Sequence, residues 1–197
     1  MHHEKQRLFN DNPISIPLTL IVICIFELVY FGIKKCIVKS SFNKNETLIN
    51  VVFVAYLAVL AEVVLLPFNI VSSNTIRETF PFEAYLQVIP FKSISFYISH
   101  MTNYHIMIQF FGNVLLLAPL AIYMNINRSI SVLKNLILAL CLSFFIELSQ
   151  SLLNLISQYP NNVSDIDDLI LNVIGYMCAL LLVPWFKTIF KLKNKFH

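Results

Sequence analysis

Apolar residues run along this chain in five long stretches that are separated by shorter polar segments. The length of each stretch matches that of a helix that crosses the hydrocarbon core of a bilayer, about 20 residues. The pattern therefore predicts an all-α fold, a polytopic bundle of about five transmembrane helices. The predicted spans are residues 14–33, 47–68, 105–124, 131–153 and 167–186.

The segment between the second and third spans, residues 70–104, is too polar to cross a membrane but is rich in phenylalanine and tyrosine. Aromatic residues at this density favour the membrane–water interface. We expect an outer interfacial loop or short helices lying on the bilayer surface. A loop packed against its own bundle fits the pattern equally well.

Polar residues recur at helical spacing near the end of the fourth span. Ser143, Glu147, Gln150 and Asn154 share one face of a helix. Charged groups inside a span are costly and usually face the bundle interior, so Glu147 is the strongest candidate for a functional group. Gln150 could instead form a structural hydrogen bond between helices.

A second polar stripe opens the fifth span, after a short turn. Asp165, Asp168, Asn172 and Gly175 follow one another at offsets of three, four and three residues. Ser164 followed by Asp167 also matches a helix-capping box, which would give the first acids a structural task. Asp168 and Asn172 lie one turn deeper than such a cap requires.

Other spans contribute further polar groups to the same predicted depth. Glu62 and Asn69 share a face of the second span, and Asn113 continues a stripe of polar residues in the third. The sequence predicts one polar pocket, shared between four spans. Its predicted members are Glu62, Asn69, Asn113, Glu147, Gln150, Asp165, Asp168 and Asn172.

Composition supports a membrane protein and argues against soluble classes. The chain has 197 residues, of which 57% are hydrophobic and 13% are charged, whereas soluble domains are about a quarter charged. Its net charge of +3 comes from lysines beside apolar stretches, so we expect no nucleic-acid partner. The four cysteines have no paired or metal-binding spacing, and no cofactor is expected.

Lysine and arginine are distributed unevenly between the two sides of the predicted bundle. With five spans and the amino terminus outside, ten of the fourteen basic residues face the cytoplasm and four face outward. This positive-inside bias predicts a multi-pass plasma-membrane protein with a cytoplasmic carboxyl terminus. We divide the chain into an extra span with a lysine-rich loop (1–46), a core membrane domain (47–187) and a basic tail (188–197).

Four sequence blocks resemble the VanZ-like family of membrane proteins. They are Leu66-Pro67-Phe68-Asn69 with Ile89-Pro90-Phe91, the stretch FGNVLLLAPLAIYM at 111–124, Glu147-Leu148-Ser149-Gln150, and Asp165-Ile166-Asp167-Asp168 with Asn172 and Gly175. The family usually carries a Gly-Arg pair where this chain has Asn161 and Asn162. A role that depends on that arginine is therefore not implied here.

The resemblance implies a bacterial envelope protein that reduces sensitivity to glycopeptide antibiotics such as teicoplanin, by a mechanism that need not be catalytic. Its partners would be membrane lipids and a lipoglycopeptide or a lipid-linked cell-wall precursor. Two other classes stay open. One is a membrane enzyme acting on a lipid-linked substrate with Glu147 as acid or base, with aspartates holding a metal. The other is a small cation- or proton-coupled carrier.

Overall fold

A computed structural model describes residues 16–33, 44–65, 85–126, 128–157 and 162–190 of the chain, with side-chain surroundings from residue 23 onward. The chain divides into two compact units, residues 1–67 and 68–197. Each unit is described by itself.

The first unit is a pair of helices, α1 (Ile16–Ile33) and α2 (Lys44–Leu65), that pack against each other. Pro17 lies in the first turn of α1, where the backbone N–H that proline lacks would have no partner within the helix. Ala58 and Val64 are buried, whereas Leu48 and Val52 are exposed. Exposed aliphatic side chains of this kind are suited to contact lipid.

The second unit contains six helices, one short 3₁₀ turn and two short strands in its described residues. Its elements are β1 (Leu86–Gln87), α3 (Lys92–Ser99), α4 (Tyr104–Leu116), α5 (Ala118–Ile126), α6 (Val132–Ser157), β2 (Ser164–Asp165), α7 (Ile166–Ala179), the 3₁₀ turn Leu180–Leu182 and α8 (Val183–Ile189).

Helix α7 is the centre of this unit and packs against α4, α5 and α6. Its closest approach is at Gly175, where an added Cβ would lie 1.6 Å from the backbone oxygen of Val114 on α4. A glycine is therefore required for the two backbones to meet. Leu171 and Ala179, on the same side of α7, are also buried.

The predicted third span is a helix with a break. The segment Tyr104–Ile126 is long and apolar enough to cross a membrane, but a turn at Leu117 divides it into α4 and α5. Pro119 accounts for the break, because proline cannot donate to the preceding turn and its ring clashes with the carbonyl group four residues earlier. Leu117 itself is buried in the core.

The predicted multi-pass helical bundle is confirmed. Four helical segments in the described ranges are long and apolar enough to cross a membrane, and α1 contains a shorter apolar stretch, Ile23–Gly32. The four are Asn45–Val64, Tyr104–Ile126, Val132–Ser157 and Ile166–Ile189. The last two extend beyond the predicted bounds of 131–153 and 167–186.

The described part of the predicted interfacial loop, from residue 85 onward, is fixed to its own unit. Strand β1 pairs in parallel with β2, and Leu86 lies opposite Ser164. The backbone N–H of Ser164 also donates to the carbonyl oxygen of Tyr85 at 3.0 Å. Of the two arrangements that the sequence allowed, the packed one is therefore present here, and it brings α3 to the start of α7.

Candidate functional site

Four carboxylates gather where α6 passes the start of α7: Glu147, Asp165, Asp167 and Asp168. Asp165 and Asp167 are buried with Glu147, and Asp168 is partly buried. Unpaired buried charges are costly, so the hydrogen-bond partners of each acid determine which of them is available for function.

Glu147, ten residues before the end of α6, joins this helix to the segment that precedes α7. Its Oε2 accepts hydrogen bonds from the backbone N–H of Asp165 at 2.9 Å and from the hydroxyl of Ser164 at 3.1 Å. The same hydroxyl lies 3.2 Å from the backbone oxygen of Glu147. The residue that the sequence favoured most strongly for function thus has a structural task.

Asp165 is the N-cap of α7. Its Oδ1 accepts from the backbone N–H of Asp167 at 2.8 Å and from Gln87 Nε2 at 3.4 Å, while Oδ2 accepts from the hydroxyl of Ser93. The predicted capping box of Ser164 and Asp167 was wrong, because the residue that caps α7 is Asp165. Asp165 has the extended backbone and the short carboxylate that an N-cap requires, and Ser164 is turned toward Glu147.

Asp167 caps a different helix, α3. Its Oδ1 accepts from the backbone N–H of Phe91 at 2.6 Å, and its Oδ2 accepts from those of Ser93 at 2.7 Å and Ile94 at 3.1 Å. Free N–H groups at a helix start attract an anion, and this carboxylate fills that position. Asp167 is 0% exposed, so its charge is balanced almost entirely by these three donors.

The turn that presents these donors is strained at Phe91, whose φ of 65° lies in the left-handed region. A bulky residue rarely adopts this conformation, and doing so costs about 1–2 kcal/mol. The turn is supported from the side by Gln87, whose carboxamide exchanges two 2.7 Å hydrogen bonds with the backbone of Ile89. Asp167 and Gln87 together hold the Ile89-Pro90-Phe91 block in one conformation.

Asp168 differs from the other three acids, because one of its buried oxygens, Oδ1, accepts no close hydrogen bond. Tyr97 on α3 forms a side-chain hydrogen bond with Asp168, and the side-chain amide of Asn113 on α4 makes a long, weak hydrogen-bonding contact with the same carboxyl group. Yet Asp168 Oδ1, Asn113 Nδ2 and Asn172 Oδ1 are all buried with no hydrogen-bond partner within 3.5 Å among the described residues. These three residues are named the unpaired cluster.

Tyr97 keeps its proton in this setting. Burial raises the pKa of its phenol well above the usual range, and the nearby carboxylates of Asp168 and Asp165 raise it further. The phenol therefore acts as a hydrogen-bond donor to Asp168. It satisfies one side of that carboxyl group and leaves Oδ1 available.

The structure brings five of the predicted pocket residues together within the second unit. Asn113, Glu147, Asp165, Asp168 and Asn172 meet around the start of α7. Gln150 is half-buried on α6. Glu62 is buried in the first unit, and Asn69 lies outside the described residues.

A second polar network lies at the other end of the spans and was not anticipated. Asn125 and Asn135 exchange two hydrogen bonds, of 2.9 and 3.1 Å, and the hydroxyl of Tyr176 donates to Asn135 Oδ1 at 3.0 Å. Asn135 belongs to the α6 stripe of Ser143 and Glu147, two turns nearer the start of the helix, and this spacing was the available signal. The network joins α5, α6 and α7 and has a structural role.

The described ranges contain no group of three or more histidine, cysteine, aspartate or glutamate side chains placed to hold a metal ion. The four acids are close together, but three of them are directed to backbone, serine or glutamine donors. What remains for binding is one carboxylate oxygen and two carboxamides.

The sequence comparisons agree with the arrangement of these motifs. A model of the VanZ/LLP1 family matches residues 53–187, which include Asn113, Glu147, the acidic block at the start of α7, and the β1–α3 segment. Searches of curated proteins and of solved structures find no match. Because the matched residues make up more than half of the chain, this protein belongs to the VanZ/LLP1 family.

Proposed function

We propose that this protein lowers the sensitivity of a bacterial cell to lipidated glycopeptide antibiotics of the teicoplanin type. It acts at the outer leaflet of the plasma membrane and carries out no chemistry on the drug. Membership of the VanZ/LLP1 family supports the phenotype, because the resemblance of the motifs implied glycopeptide resistance.

The observation that carries the proposal is the rigid apolar turn at the start of α3. Val88, Ile89 and Phe91 are 60%, 58% and 64% exposed. The buried carboxylate of Asp167 holds this turn in place by accepting a hydrogen bond from the backbone N–H of Phe91. Apolar side chains fixed in an exposed position beside membrane spans form a contact surface for an acyl chain in the leaflet.

The hydrogen bonds of Glu147 favour this mechanism over acid–base catalysis by that residue. A general acid or base must reach the proton that it transfers, whereas Glu147 is buried and its Oε2 already accepts from the backbone of Asp165 and the hydroxyl of Ser164. Substituting Glu147 would disturb the fold as well as any function. The exposed turn is therefore the better place for a functional test.

We predict that Phe91→Ala lowers resistance, whereas Phe145→Ala does not. Both phenylalanines are similarly exposed, at 64% and 66%, but Phe145 lies on α6 away from the turn. Loss of a buried aromatic contact of about 1.5–3 kcal/mol weakens binding by roughly tenfold or more. The measurement is the inhibitory concentration of teicoplanin in a deletion strain that carries each variant, with protein abundance in the membrane checked by immunoblot.

A glycopeptide without an acyl chain serves as the control drug and should respond much less to Phe91→Ala. Phe91→Gly separates the ring from the backbone, because glycine accepts a positive φ without strain. Its resistance should match that of Phe91→Ala. The proposal fails if deleting the protein leaves the teicoplanin threshold unchanged. Recovery of a modified drug or precursor from expressing cells would instead favour an enzyme.

The proposal also requires an orientation, with the amino terminus outside and the lysine-rich tail in the cytoplasm. This arrangement places ten of the fourteen basic residues inside. A reporter that is active only outside the cell should be inactive when fused after His197 and active when inserted in the short connection between α3 and α4, residues 100–103. The opposite pattern would contradict the proposed location.

A further inference from the structure

The unpaired cluster is the place in the second unit where buried polar atoms of the described residues are left without partners on two neighbouring helices. Asp168 and Asn172 are one turn apart on α7, and Asn113 on α4 precedes Val114, the residue that touches Gly175. Asn172 thus lies on the α7 stripe between the position that faces Asn113 and the closest contact of the two helices. It is 1% exposed.

The orientation of Asn172 is fixed by its other hydrogen bond. Its Nδ2 donates to the hydroxyl of Ser143 on α6 at 3.0 Å, and that hydroxyl in turn lies 3.4 Å from the backbone oxygen of Leu169. The carboxamide therefore presents its amide to α6 and keeps Oδ1 free. A buried carbonyl oxygen without a donor destabilises the folded state unless a ligand satisfies it.

The charge around this position is negative, and no basic side chain among the described contacts offsets it. Glu147 on α6, Asp165 in β2 and Asp167 on α7 all act on the carboxyl group of Asp168, and Tyr97 on α3 is its neutral neighbour. The described donors to these four acids are backbone N–H groups, serine hydroxyls, the amides of Gln87 and Asn113, and the tyrosine phenol. None of these donors carries a positive charge.

We propose that the unpaired cluster binds a small monovalent cation of the Na⁺ type, through Asp168 Oδ1, Asn172 Oδ1 and the carboxamide oxygen of Asn113. Carboxylate and amide oxygens are the ligands that hard cations prefer. The oxygen and nitrogen of an asparagine carboxamide exchange places by a half-turn about χ2, so Asn113 can offer its oxygen when the ion replaces the weak contact of its amide with Asp168. This inference does not depend on the proposed role in drug resistance.

The size and charge of the ion follow from the same atoms. One free carboxylate oxygen with two amides provides a single negative charge, whereas divalent ions are usually held by several carboxylates. Asp168 Oδ1 and Asn172 Oδ1 are shielded from solvent, so we expect a small ion such as Na⁺ or Li⁺ and no binding of an organic cation such as choline. A water molecule could donate to both oxygens, but it would leave the negative charge uncompensated.

The experiment measures thermal unfolding of the purified full-length protein in micelles, at constant ionic strength, as choline chloride is replaced by NaCl, LiCl, KCl or CaCl₂. A ligand that binds only the folded state raises the midpoint with the logarithm of its concentration. We expect this rise with Na⁺ or Li⁺, a smaller one with K⁺ and none with choline. Asp168→Asn and Asn172→Ala should abolish the dependence on Na⁺.

Asn125→Ala is the matched control, because it also removes a buried carboxamide but belongs to the Asn135–Tyr176 network. It should lower the midpoint and leave the Na⁺ response unchanged. Broadening of the ²³Na resonance by the wild-type protein tests binding directly, even if a variant does not fold. An equal salt response in all variants would overturn the inference, as would a response to Ca²⁺ alone or stabilisation by acid that is indifferent to Na⁺.

Discussion

Replacing Gly175 by alanine is expected to remove most of the folded protein from the membrane. The new Cβ would lie 1.6 Å from the backbone oxygen of Val114 and 2.6 Å from its carbonyl carbon, distances that no side-chain rotation can relieve. The backbones of α4 and α7 would have to separate, and the central helix would lose part of its packing. We expect a loss of at least about 3 kcal/mol in the free energy of unfolding.

Gly112→Ala supplies the matched control. Gly112 lies on α4 only two residues before Val114, but an added Cβ there meets nothing within 4 Å. Since alanine restricts the unfolded chain and favours the helix, this variant should be stabilised by about 0.5–1 kcal/mol. Thermal unfolding in micelles and abundance in the membrane measure both changes, and equal behaviour of the two variants would contradict the proposed contact.

The helical architecture follows from the sequence because lipid enforces it. Every backbone polar group in a bilayer core needs an internal partner, so an apolar stretch of sufficient length must form a helix there. This constraint explains why the predicted spans match α2, α6 and the segment of α7 and α8 to within a few residues at most ends. The break at Leu117 was foreseeable from Pro119, but hydropathy alone averages over it.

The polar stripes were also readable, because residues at helical spacing, such as Ser143, Glu147 and Asn154, must share one face of their helix. All three are buried. The spacing could not reveal their separate tasks. Whether a carboxylate caps a helix or is free depends on which backbone N–H groups approach it, and those belong to segments far away in sequence.

The Asp165–Asp168 block illustrates this limit. Local rules assigned its acids to the first turn of their own helix. For Asp165 this is correct, because it caps the helix that follows it, α7. Asp167 instead serves α3, which lies more than seventy residues earlier. Only the pairing of β1 with β2 brings the two segments together, and two-residue strands leave no periodic signal.

The same long-range contact explains why two of the sequence blocks lie in one place. The Ile89-Pro90-Phe91 turn and the residues after it provide three backbone donors, and the acidic block provides the carboxylate that receives them. The left-handed conformation of Phe91 is retained because this bond and the Gln87 carboxamide hold the turn on both sides. The exposed apolar surface therefore depends on a buried charge.

Substituting Asp167 should accordingly release the turn. Asp167→Ala leaves the N–H groups of Phe91, Ser93 and Ile94 without the carboxylate that accepts from them. Each such group costs about 1–3 kcal/mol, and part of that cost can be recovered only if α3 moves away toward water. We expect the free energy of local opening of α3 to fall by about 3 kcal/mol or more, while the spans remain assembled.

Limited trypsin digestion in micelles measures this opening, because Lys92 is exposed in the first turn of α3 and becomes a substrate when the turn unfolds. Cleavage after Lys92 should accelerate by about two orders of magnitude in Asp167→Ala, in proportion to the population of the open form. Asp167→Asn should lie between, since one oxygen is kept and one is replaced by a donor. Ser99→Ala removes only a hydroxyl that bonds within α3 and to the neighbouring His100, and its cleavage rate should match that of the wild type. If Asp167→Ala is cleaved no faster than Ser99→Ala, the carboxylate does not hold the turn. The proposed drug contact would then lose its argument from a rigid surface.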